Sequence, residues 1–189
     1  MADHEQIPLM DHELEDDEIA WMEAVYEDFA DARPDFDDPK EALRHVLDLP
    51  QHALPAPMDL TGPGPWRGGR NRHGRNVTAV FLPREELHRH ERTRTDQFVM
   101  YVRGEAEAFL LGDDGQPVLA PVAGGAHFQN GPDAPHAFVP KVGVPVPENW
   151  EIAFIAITPR NLREDTLSVS PAVKAAYTRA TGREAPTWV

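Results

Sequence analysis

Cysteine is absent from the 189-residue sequence. That excludes a disulfide framework, a thiolate nucleophile and every thiolate metal site, leaving histidine, carboxylate, amide and water as possible ligands. Long apolar runs are absent too, and nothing approaches the roughly 18 consecutive apolar residues of a spanning helix. Residues Met1 to Met10 are acidic and polar, without the basic and apolar regions of a secretory leader, so the expected location is the cytoplasm. Basic residues are scarce in the first third. Residues 1–60 carry 18 acidic against 3 basic residues, net −15, whereas residues 61–189 carry 14 against 15, net +1. So acidic a segment repels phosphate backbones and anionic lipid, so neither nucleic acid nor a membrane surface is an expected partner.

What the chain does contain is enough apolar material, 41%, for the core of one domain. Its 19 prolines and 13 glycines favour many short elements over a helical bundle. Ile19, Met22, Val25, Tyr26 and Phe29 recur at helical spacing and predict a helix over 17–32. A second helix follows Asp38 as cap, with Pro39 in its first turn, Glu41 at the capping-box position, and Pro50 as its stop. After a Pro-, Gly- and Arg-rich connection over 51–75, the pattern changes to short runs with a period of two. Strands are expected at Asn76–Leu82, Asp96–Val102, Ala106–Leu111, Val118–Pro121, Ala126–Gln129, Ala137–Pro140 and Glu151–Thr158. A last helix is expected from Pro171 to Thr181, capped by Ser170 and closed by Gly182. Short strands at this spacing imply a sandwich or barrel. The expected organisation is an acidic tail with helices over 1–60, a barrel over 61–165, and a C-terminal helix and tail over 166–189.

Four of the nine histidines, His88, His90, His127 and His136, fall in one stretch of the chain. His88 and His90 are two apart, which on a strand puts both imidazoles on one face, as a shared metal requires. The stretch from His88-Arg-His90 through Gln97 to Gly104 resembles the first motif of the cupins. The stretch Gly125-Ala-His-Phe-Gln-Asn-Gly131-Pro-Asp133-Ala-Pro-His136 resembles the second. The sequence has Gln97, next to Asp96, where that family usually has glutamate, and Gly131-Pro132-Asp133 where it has Pro-x-Gly.

The resemblance covers roughly residues 76–158. It implies a mainly β fold, a double-stranded β-helix (jelly-roll, cupin barrel), here with two N-terminal helices and one C-terminal helix. It also implies one divalent metal ion, iron, manganese, nickel or zinc, held inside the barrel by His88, His90 and His136. The fourth ligand is Gln97, Asp96 or neither, and the spacing to Gly104 leans to Gln97. His127 is expected as a pocket-wall acid or base. Tyr101, with the strand parity of Gln97, offers a phenol, and Glu107 is either a base facing inward or a solvated carboxylate. Phe109 and Phe138 are expected to line the cavity. The loop of Trp66, Arg67, Arg70, Arg72, His73 and Arg75 either pairs with the acidic helices or lends Arg70 or Arg72 to clamp a substrate anion.

The expected activity is oxidation of a small, anionic organic acid or aromatic by an iron(II)-type dioxygenase. A metal-dependent isomerase or lyase working through an enolate, and a non-catalytic small-molecule- or sugar-binding barrel, are the alternatives. A homodimer is implied by resemblance alone.

Overall fold

The computed structural model describes residues 13–60, 66, 68–159 and 165–186. Most of the expected acidic tail, and Arg67, lie outside the described residues. Helix α1 spans Asp16–Ala32 and begins with a capping box in which the Glu18 carboxylate accepts from the Glu15 backbone N–H at 2.8 Å. Helix α2 spans Pro39–Leu47, and the Asp38 carboxylate accepts from the Lys40 N–H at 2.9 Å. Helix α3 spans Pro171–Thr181. The Ser170 hydroxyl caps its start, and Gly182 ends it in the left-handed conformation, φ 70°.

Between the helices run ten strands: β1 (Gly69–Arg70), β2 (Asn76–Leu82), β3 (Arg89–His90), β4 (Thr95–Arg103), β5 (Ala106–Leu111), β6 (Pro117–Val122), β7 (His127–Asn130), β8 (His136–Pro140), β9 (Glu151–Thr158) and β10 (Thr166–Leu167). A five-stranded sheet has the order β1-β2-β9-β4-β7, a three-stranded sheet the order β6-β5-β8, and β10 pairs with β3. All these pairings are antiparallel. An antiparallel bridge between His88 and His136 joins the last two groups, so the second layer runs in effect β6-β5-β8-β3-β10. Two facing antiparallel layers of this kind form a jelly-roll barrel.

Alternation along each strand sorts the apolar residues into three layers. Val80, Leu82, Val99, Ala108, Phe138, Ile152 and Phe154 fill the space between the sheets. Val77, Ala79, Phe81, Phe98, Met100, Ile155 and Ile157 cover the outer face of the large sheet, where Met22, Val25 and Phe29 of α1 and Leu43 and Val46 of α2 bury them. Phe109, Ala137 and Val139 face outward from the small sheet and pack under Tyr177 of α3, together with Leu87.

The basic hairpin between β1 and β2 lies on α1. Arg75 forms an ion pair with Glu18, whose side chain is 1% exposed, while Arg72 and His73 reach Asp17 at 2.8 and 3.0 Å. The Arg72 pair is solvated and worth little. The Arg75 pair is largely buried, and removing one partner strands the other charge, which typically costs about 3–5 kcal/mol. Arg75→Ala is therefore expected to lower the urea midpoint far more than Arg72→Ala. Equal shifts in the two variants would refute the idea that this pair fastens α1 to the barrel.

Candidate metal centre

The three histidines meet because of one backbone pairing. His88 N–H donates to the His136 carbonyl at 3.2 Å, and His136 N–H donates to the His88 carbonyl at 3.0 Å. Residues that exchange both bonds lie directly opposite each other, and their side chains leave on the same face. His90, two residues on, shares the face of His88. The ring centroids are 5.0 Å apart for His88–His90, 4.6 Å for His88–His136 and 5.2 Å for His90–His136. One nitrogen from each ring lies within 4.8 Å of one from each of the others, and all three residues are buried.

The turn before β8 aims the third ring. Asp133 takes φ 63°, a left-handed conformation that aspartate tolerates better than most residues with a Cβ. Its N–H donates to the His90 carbonyl at 2.6 Å, and its carboxylate pairs with Arg89. This ties the turn to β3.

Burial sets the charge of the cluster. It pushes His88 down to about 2, with His136 and His90 adding to the effect. It pushes His90 down to about 3, with His136 adding and Asp165 opposing. It pushes His136 down to about 4, opposed by the hydrogen bond to Ala134. All three are neutral near pH 7, the form that binds metal.

The His136 Nδ1–H donates to the Ala134 carbonyl at 2.9 Å, which leaves a lone pair on its Nε2. That buried Nε2, and the buried Nε2 of His90, have no hydrogen-bond partner among the described residues. Two buried, unpartnered imidazole nitrogens facing a third ring fit a borderline divalent ion with nitrogen ligands at about 2.1 Å. Three histidines are thus turned into the interior between the two five-stranded layers of the jelly-roll barrel.

No protein-family model and no curated protein matches the chain. Solved structures similar to it include Peruvianin-I, a cysteine peptidase of Thevetia peruviana latex (16% identity, 53% of this chain and 58% of that one, TM-score 0.40). Another is a variant of Bacillus subtilis oxalate decarboxylase (17%, 58% of this chain and 29% of that one, TM-score 0.38). A third is a cupin 2 domain-containing protein of Halorhodospira halophila (20%, 60% and 71%, TM-score 0.42). The chain thus spans less than two thirds of the first two. Likenesses of this order lend no weight to any activity, and the jelly-roll assignment stands on the chain's own strand order.

Gln97 lies inside the barrel. It lines a small cavity with His136, Asn130, Leu110, Phe128 and Phe138, and its Oε1 accepts from Asn130 Nδ2 at 3.1 Å. The cavity has about 10 Å³ for the centre of a water-sized sphere, room for one water. Thr95 pairs directly with Asn130 and so shares its face, and its buried hydroxyl has no hydrogen-bond partner among the described residues.

The other expected site residues lie elsewhere. Asp96 alternates to the outer face of the large sheet, where it meets Arg94 at 3.3 Å and His127 at 3.2 Å. It is therefore no ligand, and among the described residues no carboxylate joins the three rings. His127, opposite Phe98, shares that outer face and is not a cavity wall. Tyr101 is turned outward by a bulge. Val99 pairs with Phe154 and Tyr101 with Ala153, so Met100 is an extra residue that inverts the parity. Its ring packs under Arg33 and Arg103.

Glu107 faces out of the small sheet, where its carboxylate accepts from Val142 N–H at 2.9 Å. Phe109 faces out as well, 5.1 Å from the Tyr177 ring, whereas Phe138 lines the cavity as expected. Arg70 is exposed on edge strand β1 and Arg72 sits on α1, so neither belongs to the cavity lining. Three residues were not expected: Asn130, Thr95, which shares its face, and Thr166, whose hydroxyl lies 3.2 Å from His90 Nδ1. The two-residue strand carrying Thr166 is too short to show a period.

The cluster predicts acid sensitivity of the metal-free protein. A histidine whose folded pKa is depressed contributes its full stability above the unfolded value near 6.5 and loses it as pH falls toward the folded value. Each of the three should lose about 1.4 kcal/mol per pH unit between 6.5 and its own folded value, so together ~4 kcal/mol per unit between 6.5 and 4. Urea unfolding in chelator at pH 7.5, 6.5 and 5.5 should show this slope, reduced by about a third in His136→Phe. A flat profile would contradict the burial argument.

Proposed function

We propose that this barrel is a cupin that holds one divalent ion, iron, manganese, nickel or zinc, and that with redox-active iron(II), the first choice, it oxidises a small anionic organic acid or aromatic with dioxygen. The observation that supports this reading is that, among the described residues, the cavity lining contains no side chain able to carry a proton except His136, itself a candidate ligand. When bound, such an ion supplies positive charge for a chelating oxyanion and electrons for dioxygen.

The chain's own groups do the rest. The neutral triad holds the ion without cancelling its charge. The Ala134 carbonyl fixes the His136 ring. The Gln97–Asn130 amide pair and the Thr95 hydroxyl present neutral polar groups to an anion. Phe128, Phe138 and Phe154 pack against one another and exclude water.

An isomerase or lyase acting through an enolate needs a base within hydrogen-bond reach of a carbon-bound proton. His127, Tyr101 and Glu107, the groups expected in that role, all face away from the cavity. The single-water volume favours a different second reading, a non-catalytic small-molecule- or sugar-binding barrel with a structural ion, because an organic substrate enters only if side chains move. We further propose a cytoplasmic homodimer, on composition and resemblance.

Elemental analysis of protein purified without chelator, followed by anaerobic iron(II) loading and oxygen-electrode assays over catechols, diketones and hydroxy acids, tests the reading. About one ion per chain and oxygen uptake with at least one chelating anion are expected. Turnover under argon would overturn the dioxygenase reading, and anion binding without turnover selects the non-catalytic one. Gln97→Glu sets a carboxylate beside the triad. It is expected to tighten divalent-metal binding and weaken chelating-anion binding, each by about tenfold, ~1.4 kcal/mol, in calorimetric titrations.

A further inference from the structure

The segment after residue 165 does more than cover the barrel. Strand β10 is the antiparallel partner of β3, with Thr166 opposite His90 and Leu167 opposite Arg89. The Thr166 hydroxyl lies 3.2 Å from His90 Nδ1, on the far side of the ring from the buried, unpartnered Nε2. The residues around this contact are fastened from the same segment. The Asp165 carbonyl accepts from Glu91 N–H at 3.0 Å, and its carboxylate oxygens accept from Arg92 N–H at 3.2 and 3.1 Å. Arg89 Nε donates to the Ser168 carbonyl at 3.3 Å.

The other end of the His-x-His segment is fastened by α3 and the turn after it. Tyr177 donates to Glu85 at 2.6 Å, Arg183 pairs with Glu85 at 3.3 Å, and Leu87 is buried in the cluster around Tyr177. Residues 85–92 are thus clasped at both ends by residues 165–183. Within the clasp, Thr166 holds a hydrogen bond to the ring of a candidate ligand.

We propose that Thr166 is a positioning residue for the metal centre. Its hydroxyl accepts the His90 Nδ1–H, fixes the neutral tautomer whose lone pair is on Nε2, and makes a competent triad depend on docking of the C-terminal segment. The inference rests on the metal-centre reading given above, but its central observable does not require metal. In neutral imidazole only one nitrogen carries hydrogen, so a partner at Nδ1 decides what Nε2 offers. Ala134 does the same for His136 through a backbone carbonyl, which no substitution removes. Thr166 does it through a side chain, which can be changed.

The experiment has two arms. Long-range 1H–15N spectra of metal-free protein at pH 7.5 report the tautomer of each imidazole. Cobalt(II) titration, followed by its visible absorption, reports ligation. In the wild type and in Thr166→Ser, His90 is expected as the Nδ1–H tautomer. In Thr166→Val it becomes a tautomer mixture, and cobalt affinity falls about 10- to 100-fold while His136 is unchanged. An Nε2–H His90 in the wild type overturns the proposal. So does a Thr166→Val protein with unchanged tautomer and unchanged cobalt affinity. If Thr166→Val does not fold, the wild-type and Thr166→Ser spectra still decide. If the wild type shows the predicted tautomer but takes up no cobalt, the metal reading falls and the positioning role of Thr166 stands.

Discussion

Two backbone hydrogen bonds between His88 and His136 organise the rest of the molecule. Among the described residues they are the only sheet pairing between β8 and the His-x-His segment, and through them the short β3–β10 ladder becomes part of the second layer. Without the bridge the barrel has a three-stranded wall against a five-stranded one. With it the wall closes, and closure places two imidazoles opposite each other inside. The same contact therefore completes the fold and builds the site. A one-residue slip would turn either ring to the other face.

The charge asymmetry of the sequence has a structural counterpart. The acidic helices occupy the outer face of the large sheet, where the β1–β2 hairpin supplies Arg72, His73 and Arg75. Asp96 meets Arg94 and His127 on that same face, and Glu85 meets Tyr177 and Arg183 beyond the small sheet. These ion pairs lie on the two outer surfaces, whereas the described cavity lining keeps imidazole, amide and phenyl groups. Arg72 and Arg75 of the basic loop are thus occupied in holding α1.

Much of this was legible in the sequence because half-buried strands alternate. Asn76–Leu82, Ala106–Leu111 and Glu151–Thr158 have the bounds that the pattern predicts, as does the helix Pro171–Thr181 with its Ser170 and Gly182 caps. Facing was harder to read. Tyr101 reversed because a bulge adds Met100, and nothing local marks a bulge in an apolar run. Phe109 and Phe138 are equally apolar, yet one lies under α3 and the other in the barrel, because this sheet is covered on both sides. Asp96 and Gln97 are adjacent, so one had to face each way. The partners that chose, Arg94 and His127 on one side and Asn130 on the other, are tertiary contacts. Asp133 takes the left-handed conformation at this turn although it carries a Cβ, which its residue type alone does not announce.

The facing of Gln97 and Asp96 also constrains the chemistry. A carboxylate at the inward position would lower the net charge of a bound divalent centre by one and supply a proton acceptor. An amide does neither. The interior joins a neutral ligand set to apolar walls, where an ion keeps its full attraction for an anion because few mobile dipoles screen it. Among the described residues, His136 is the one cavity-lining side chain able to carry a proton. An ion held there as proposed would favour a ligand that arrives already ionised.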